Sequence, residues 1–167
     1  MGPFFVASRT HKLARGRDVS DQFNLERFRK AQERDYQQAI SELRAGRKRT
    51  HWIWYIFPQV DGLGFSSTAR FYAISGIEEA RAYLADPVLG ARLLECTNVL
   101  LELHSNDPTA VLGYPDDLKV RSSLTLFEAA AQDDDQRRPF KQALGKFYAG
   151  KRDRRTLDIL GISGSRR

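Results

Sequence analysis

Behind the dipeptide Asp86-Pro87, apolar residues recur at Leu89, Leu93, Cys96, Leu100 and Leu103. The steps between them alternate four and three. That is the period of a single buried stripe on an α-helix, not of a strand. Aspartate supplies an N-cap, and proline stands at the first helical position, where its missing N–H costs nothing. A long helix with one apolar face must be covered by other elements, so the stripe predicts a central core helix. Cys96 lies on it and reads as a packed thiol, not a nucleophile.

Similar punctuation recurs along the chain. Asn24 is positioned to cap a helix whose apolar residues are Leu25, Phe28, Ala31, Tyr36, Ile40 and Leu43, with Gly46 as its stop. Ser75-Gly76-Ile77-Glu78 has the form of a capping box and predicts a helix from Ile77 to about Leu84. Asp107-Pro108 repeats the cap-and-proline signal, with Gly113 closing a short helix. Pro115-Asp116-Asp117 opens another, with Leu118, Leu126, Ala129 and Ala130 inward. Asp133-Asp134-Asp135 reads as a solvated acidic loop, and Pro139 as the start of a helix that ends at Gly150. Asp153 caps the last, with Leu157 and Leu160 inward. The expected architecture is mainly α, a single compact multi-helix domain with at most one or two short strands.

A chain of 167 residues is the size of one domain. The expected organisation is a mobile basic arm over residues 1–22, a helical domain over 23–160 and a basic tail over 161–167. The net charge is +6. Much of that excess falls in the arm and tail, which makes nucleic acid a weaker expectation than the total suggests. Inside the domain, Arg44, Arg47, Lys48 and Arg49 form one basic cluster, and Lys151, Arg152, Arg154 and Arg155 another. They are solubilising loop charge unless they meet in space, in which case a phosphate ester becomes the natural ligand. No apolar run has the length of a membrane span, and no secretory leader is legible. One cysteine excludes an internal disulfide, and a cytoplasmic protein is expected. His11, His51 and His104 are too scattered for a metal site, and no phosphate or dinucleotide fingerprint is present. No metal or other cofactor is expected.

Two constellations carry chemistry. The first is Thr50-His51-Trp52-Ile53-Trp54-Tyr55-Ile56-Phe57-Pro58-Gln59, which holds both tryptophans. It is either a strand or a short buried helix, ended by Pro58. It is also either packed core or the wall of a pocket. In the second case Trp52 and Trp54 stack on a planar base while His51 and Gln59 bond a ribose or amide. The second constellation runs from Asp116 through Asp117 to Thr125. At helical spacing Lys119, Ser122 and Thr125 suit an anionic ligand, and the plainer reading is a capped surface helix with an Asp–Lys or Asp–Arg pair. Gln32 and Tyr36, one turn apart, either face the same pocket or flank a core stripe.

These residues resemble a known family. Ala31-Gln32, Tyr36, Glu42-Leu43, His51-Trp52-Ile53-Trp54, Ile56-Phe57-Pro58-Gln59 and Gly62-Leu63-Gly64 look like the signature of the bacterial domain-of-unknown-function family 1810, sometimes labelled calpastatin-like. Asp117, Lys119, Ser122-Ser123 and Thr125-Leu126-Phe127 continue the likeness, which spans about residues 23–160. It implies a small, largely helical cytoplasmic protein. A more distant similarity links His51-Trp52 to the His-aromatic helix of families that process NAD or ADP-ribose, although Gln59 stands eight positions on and Thr50 precedes the histidine. It implies a nucleotide-like or ADP-ribose-like ligand, and hydrolysis of an N-glycosidic bond if the protein is an enzyme. His51 would then act in catalysis, and Asp117 or Glu42 would stabilise an oxocarbenium-like centre. The alternative is a non-catalytic module that engages a protein or nucleic-acid partner through its basic arm. A third reading, a homodimer, would bury the Leu89–Leu103 stripe between chains.

Overall fold

Asp86 does what its position predicts: its carboxylate accepts the backbone N–H groups of Val88 (3.1 Å) and Leu89 (2.9 Å). The computed structural model describes residues 22–162. Its helices, in chain order, are α1 (Glu26–Arg44), α2 (Ile53–Ile56), α3 (Ser67–Phe71), α4 (Ile77–Ala85), α5 (Pro87–Glu102), α6 (Pro108–Leu112), α7 (Asp116–Ala130), α8 (Asp134–Tyr148) and α9 (Arg154–Leu160). The chain is mainly α. Among the described residues, the β-structure amounts to one isolated parallel bridge between Val60 and Ile74. Of the arm expected over residues 1–22 and the tail expected over 161–167, residues 1–21 and 163–167 lie outside the described residues.

The stripe of α5 is covered from three sides, by α1, α4 and α8. Leu89, Leu93, Cys96 and Leu100 are buried there. A homodimer seam on that stripe is therefore corrected: the face is already used inside one chain. The α7 helix packs on α4, α8, α6 and α9, and touches α2. It thus stands between the core and the aromatic block.

Of the two forms expected for the aromatic block, it takes the short buried helix, the single turn α2, and not the strand. Several local expectations are corrected. Asn24 does not cap α1. It takes a left-handed backbone (φ 55°), and Leu25 holds the cap position with no side-chain bond. The capping box expected at Ser75 does not form: Gly76 holds the cap position with no side-chain bond, and Glu79, not Glu78, accepts the Ser75 N–H (2.8 Å). Glu79 also takes an ion pair from Arg27 at 2.8 Å. Asp133 is a helix cap, accepting the Gln136 N–H, so the acidic triplet opens α8 and Pro139 falls inside that helix. Arg137 and Arg138 pair with Asp134 and Asp135 one turn back, which favours helix over loop there. Leu118 is exposed, because α7 turns its Asp117 and Val120 faces inward instead.

No described helix is long and apolar enough to cross a membrane.

Candidate functional site

The loop between α1 and α2 is organised by one carboxylate. Glu42, buried near the end of α1, accepts from the Arg49 N–H (2.7 Å), the Thr50 N–H (3.0 Å) and hydroxyl (2.7 Å), the Trp52 indole N–H (2.9 Å) and the Gln38 amide (2.8 Å). Burial works against its charge. The hydrogen bonds from Gln38, Arg49 and Thr50 outweigh that and draw its pKa down to about 2. Glu42 is thus an anchor whose hydrogen bonds favour its ionised form. It holds the indole of the buried Trp52, at the start of the aromatic block.

Trp54, two residues on, is only half-buried. With Gln59, Gly62, Gly64 and Tyr72 it lines a hollow of about 10 Å³. That is room for about one water molecule, so a larger ligand would have to lie across its mouth. Cations from two helices touch residues that line it, although neither lines the hollow itself. Lys119 of α7 places its ammonium 5.5 Å from the Trp54 ring centroid. Arg155 of α9 donates to the Gly62 carbonyl at 3.2 Å. Gly62 has φ 107°, and a Cβ there would press on Ile159 at 3.2 Å, so this glycine lets the loop close onto α9.

A second lysine ties the block to α7. Lys48 lies 4.8 Å from the Trp52 ring centroid, 2.7 Å from Asp116 Oδ2 and 2.6 Å from the Thr50 carbonyl it donates to. Asp116 also faces Lys119, at 3.4 Å. The plainer reading of α7 as a helix with an Asp–Lys pair therefore describes part of what is there. The two basic clusters both reach α7: Lys48 at Asp116, and the second cluster further along, where Arg121 donates to the carbonyls of Lys151 (2.8 Å) and Arg152 (3.1 Å).

The structure brings Trp54 and Gln59 together, with Lys119 against the tryptophan. The other candidates lie elsewhere. His51 is exposed and is not among the residues lining the hollow; its carbonyl accepts from the Tyr55 hydroxyl at 3.2 Å. Gln32 is buried and donates to the Tyr55 carbonyl (2.7 Å) and the Tyr83 hydroxyl (3.0 Å). Tyr36 donates to Glu95 at 2.5 Å on the α5 side. Asp117 accepts from the Thr109 hydroxyl (2.7 Å) and the Leu118 N–H (2.9 Å). Ser122 donates to the Leu118 carbonyl at 3.2 Å. Thr125, fully buried, donates to the Arg121 carbonyl (2.8 Å) and accepts the Asp153 N–H (3.0 Å). Ser122 and Thr125 therefore join no phosphate-facing set with Lys119. Cys96 is buried, and that burial pushes its thiol up to about 12, away from nucleophilic use.

Lys48 and Arg155 were not singled out from sequence as site residues, and Asp116 stood there only as the start of its constellation. Lys48 and Arg155 sat within basic runs, and nothing in a run says which member turns inward. Roomier grooves lie along the outer face of α5, about 390 Å³ beside Arg44, Leu94 and Glu102, and about 210 Å³ beside Leu84, Leu94 and Phe140. None of the candidate residues lines them.

The model of the family described as "Protein of unknown function (DUF1810)" matches residues 22–160. The chain belongs to this family. A solved structure of a conserved hypothetical protein, Rv1873 from Mycobacterium tuberculosis, is similar: 46% identical, with a TM-score of 0.81, covering 85% of this chain and 99% of that one. Among curated proteins none matches. The resemblance to family 1810 is thus borne out, while the more distant likeness to NAD- and ADP-ribose-processing families rests on the residues alone. Neither description carries an activity, so function must be argued from the site.

Proposed function

We propose that the protein binds a nucleotide-like anion at Trp54, which lines the hollow with Gln59 and carries the Lys119 ammonium over its ring. The observation that supports this is the Lys119 ammonium on the face of a half-buried tryptophan, beside a side-chain amide. An aromatic ring, a cation and an amide answer the three parts of a nucleotide: base, phosphate and ribose. Arg155, held at Gly62, adds a second positive charge at the rim.

Binding is the better supported form of this reading. Cleavage of an N-glycosidic bond needs a carboxylate facing an oxocarbenium-like centre. Glu42 spends its oxygens on five donors, and Asp117 spends its own on Thr109 and Leu118. His51 stays on the surface as the remaining candidate for proton transfer.

Thermal unfolding in the presence of NAD, ADP-ribose or AMP tests the proposal, with a parallel assay for released base. A ligand at a hundredfold excess over its Kd should raise the melting temperature by about 5–10 °C, without turnover. No shift with any of the three, and no turnover, would overturn it.

A further inference from the structure

Both tryptophans of the chain carry a lysine over their ring, and the two lysines meet on one carboxylate, Asp116. The two halves of this bridge are unequal. Lys48 keeps only 6% of its side chain exposed, stands 2.7 Å from Asp116 and donates to the Thr50 carbonyl as well. It is fixed. Lys119 is 30% exposed and stands 3.4 Å from Asp116, beyond a good charge-assisted hydrogen bond. Lys48 alone is enough to neutralise Asp116. The positive charge of Lys119 is therefore surplus to the bridge, and it lies on the Trp54 side.

Resting on the reading above, we infer that Lys119 makes this surface select a nucleoside phosphate over a neutral nucleoside, and that Asp116 sets how strongly it does so by holding part of that lysine's charge. A phosphate brings up to two negative charges and three strong acceptor oxygens. It can draw Lys119 away from Asp116, because a short charge-assisted bond replaces a long one. A neutral ribose offers Lys119 no such exchange, so the nucleoside meets a lysine that stays on the carboxylate. Asp116 competes with the ligand for Lys119, which lowers affinity for phosphate below what Lys119 alone would give.

The test is calorimetric titration of the full chain with AMP and with adenosine, for the protein and for Lys119→Met and Asp116→Asn. The quantity read is the ratio of the two dissociation constants on one sample, so a partly unfolded variant does not distort it. The protein should prefer AMP by about tenfold or more. Lys119→Met should bring the two ligands within about twofold, and Asp116→Asn should widen the preference by about three- to tenfold. A preference that survives Lys119→Met, or that narrows in Asp116→Asn, overturns the inference and leaves nucleotide binding standing. Binding of neither ligand to the unaltered protein overturns both.

Discussion

Glu42 shows how a single side chain can determine a loop. Its residue type and position made it a candidate acid, since a carboxylate beside aromatic residues is what glycosidic chemistry uses. The structure gives it five donors, four of them from Arg49, Thr50 and Trp52. Sequence separation hid this, because a helix-terminal glutamate and a loop seven to ten residues later meet only once the chain turns at Gly46. The energetic consequence can be measured. A carboxylate with a folded pKa near 2 and an ordinary value of 4.5 binds protons less readily when folded. It stabilises the fold at pH values above about 4.5, and that contribution is lost as pH falls toward 2. The amount at neutral pH is on the order of 2–3 kcal/mol. Glu42→Gln should remove most of it, lowering stability at pH 7 by about 2–3 kcal/mol and flattening the acid limb of the unfolding profile between pH 5 and 2. Denaturant titrations at a series of pH values would show this, and an unchanged acid limb would contradict it.

At the scale of the element, helix starts were legible where aspartate precedes proline, because one residue caps and the next fixes the backbone. Asp86 and Asp107 both behave so. The α8 start was misplaced because Pro139 looked like the same signal, whereas the cap at Asp133 and two ion pairs hold a helix that includes it. Glycines within helices expose a second limit. Propensity alone says that alanine should improve both Gly90 and Gly145 by about 1 kcal/mol. A Cβ at Gly90 would meet the Leu84 carbonyl oxygen at 2.2 Å, where α4 and α5 approach closely, while one at Gly145 meets nothing within 4 Å. The two substitutions should therefore differ in sign. Gly145→Ala should gain up to about 1 kcal/mol, and Gly90→Ala should lose about 2 kcal/mol or more by forcing the two helices apart. Melting curves of the pair, measured together, separate packing from propensity.

For the molecule as a whole, the helical architecture followed from periodicity and caps, since each stripe needed a partner face and the chain contains enough helices to supply them. The candidate site followed less well. Trp54, Gln59 and Lys119 were named for their chemistry and do lie together or in contact. Gln32, Tyr36, Ser122 and Thr125 were named by the same reasoning and instead bond within the fold, because polar residues on inward helix faces must find partners there. Residue type alone does not separate a polar group that faces a ligand from one that satisfies the core. The central claim is that a nucleotide-like anion lies against Trp54, and the pair of tryptophans makes it directly measurable. Trp52 is buried and held by Glu42, so its emission serves as an internal reference, while Trp54 is half-exposed. Titrating ADP-ribose while recording tryptophan fluorescence should give a saturable change in the unaltered protein that disappears in Trp54→Phe. A flat titration, or a saturable change that persists in Trp54→Phe, would contradict the account.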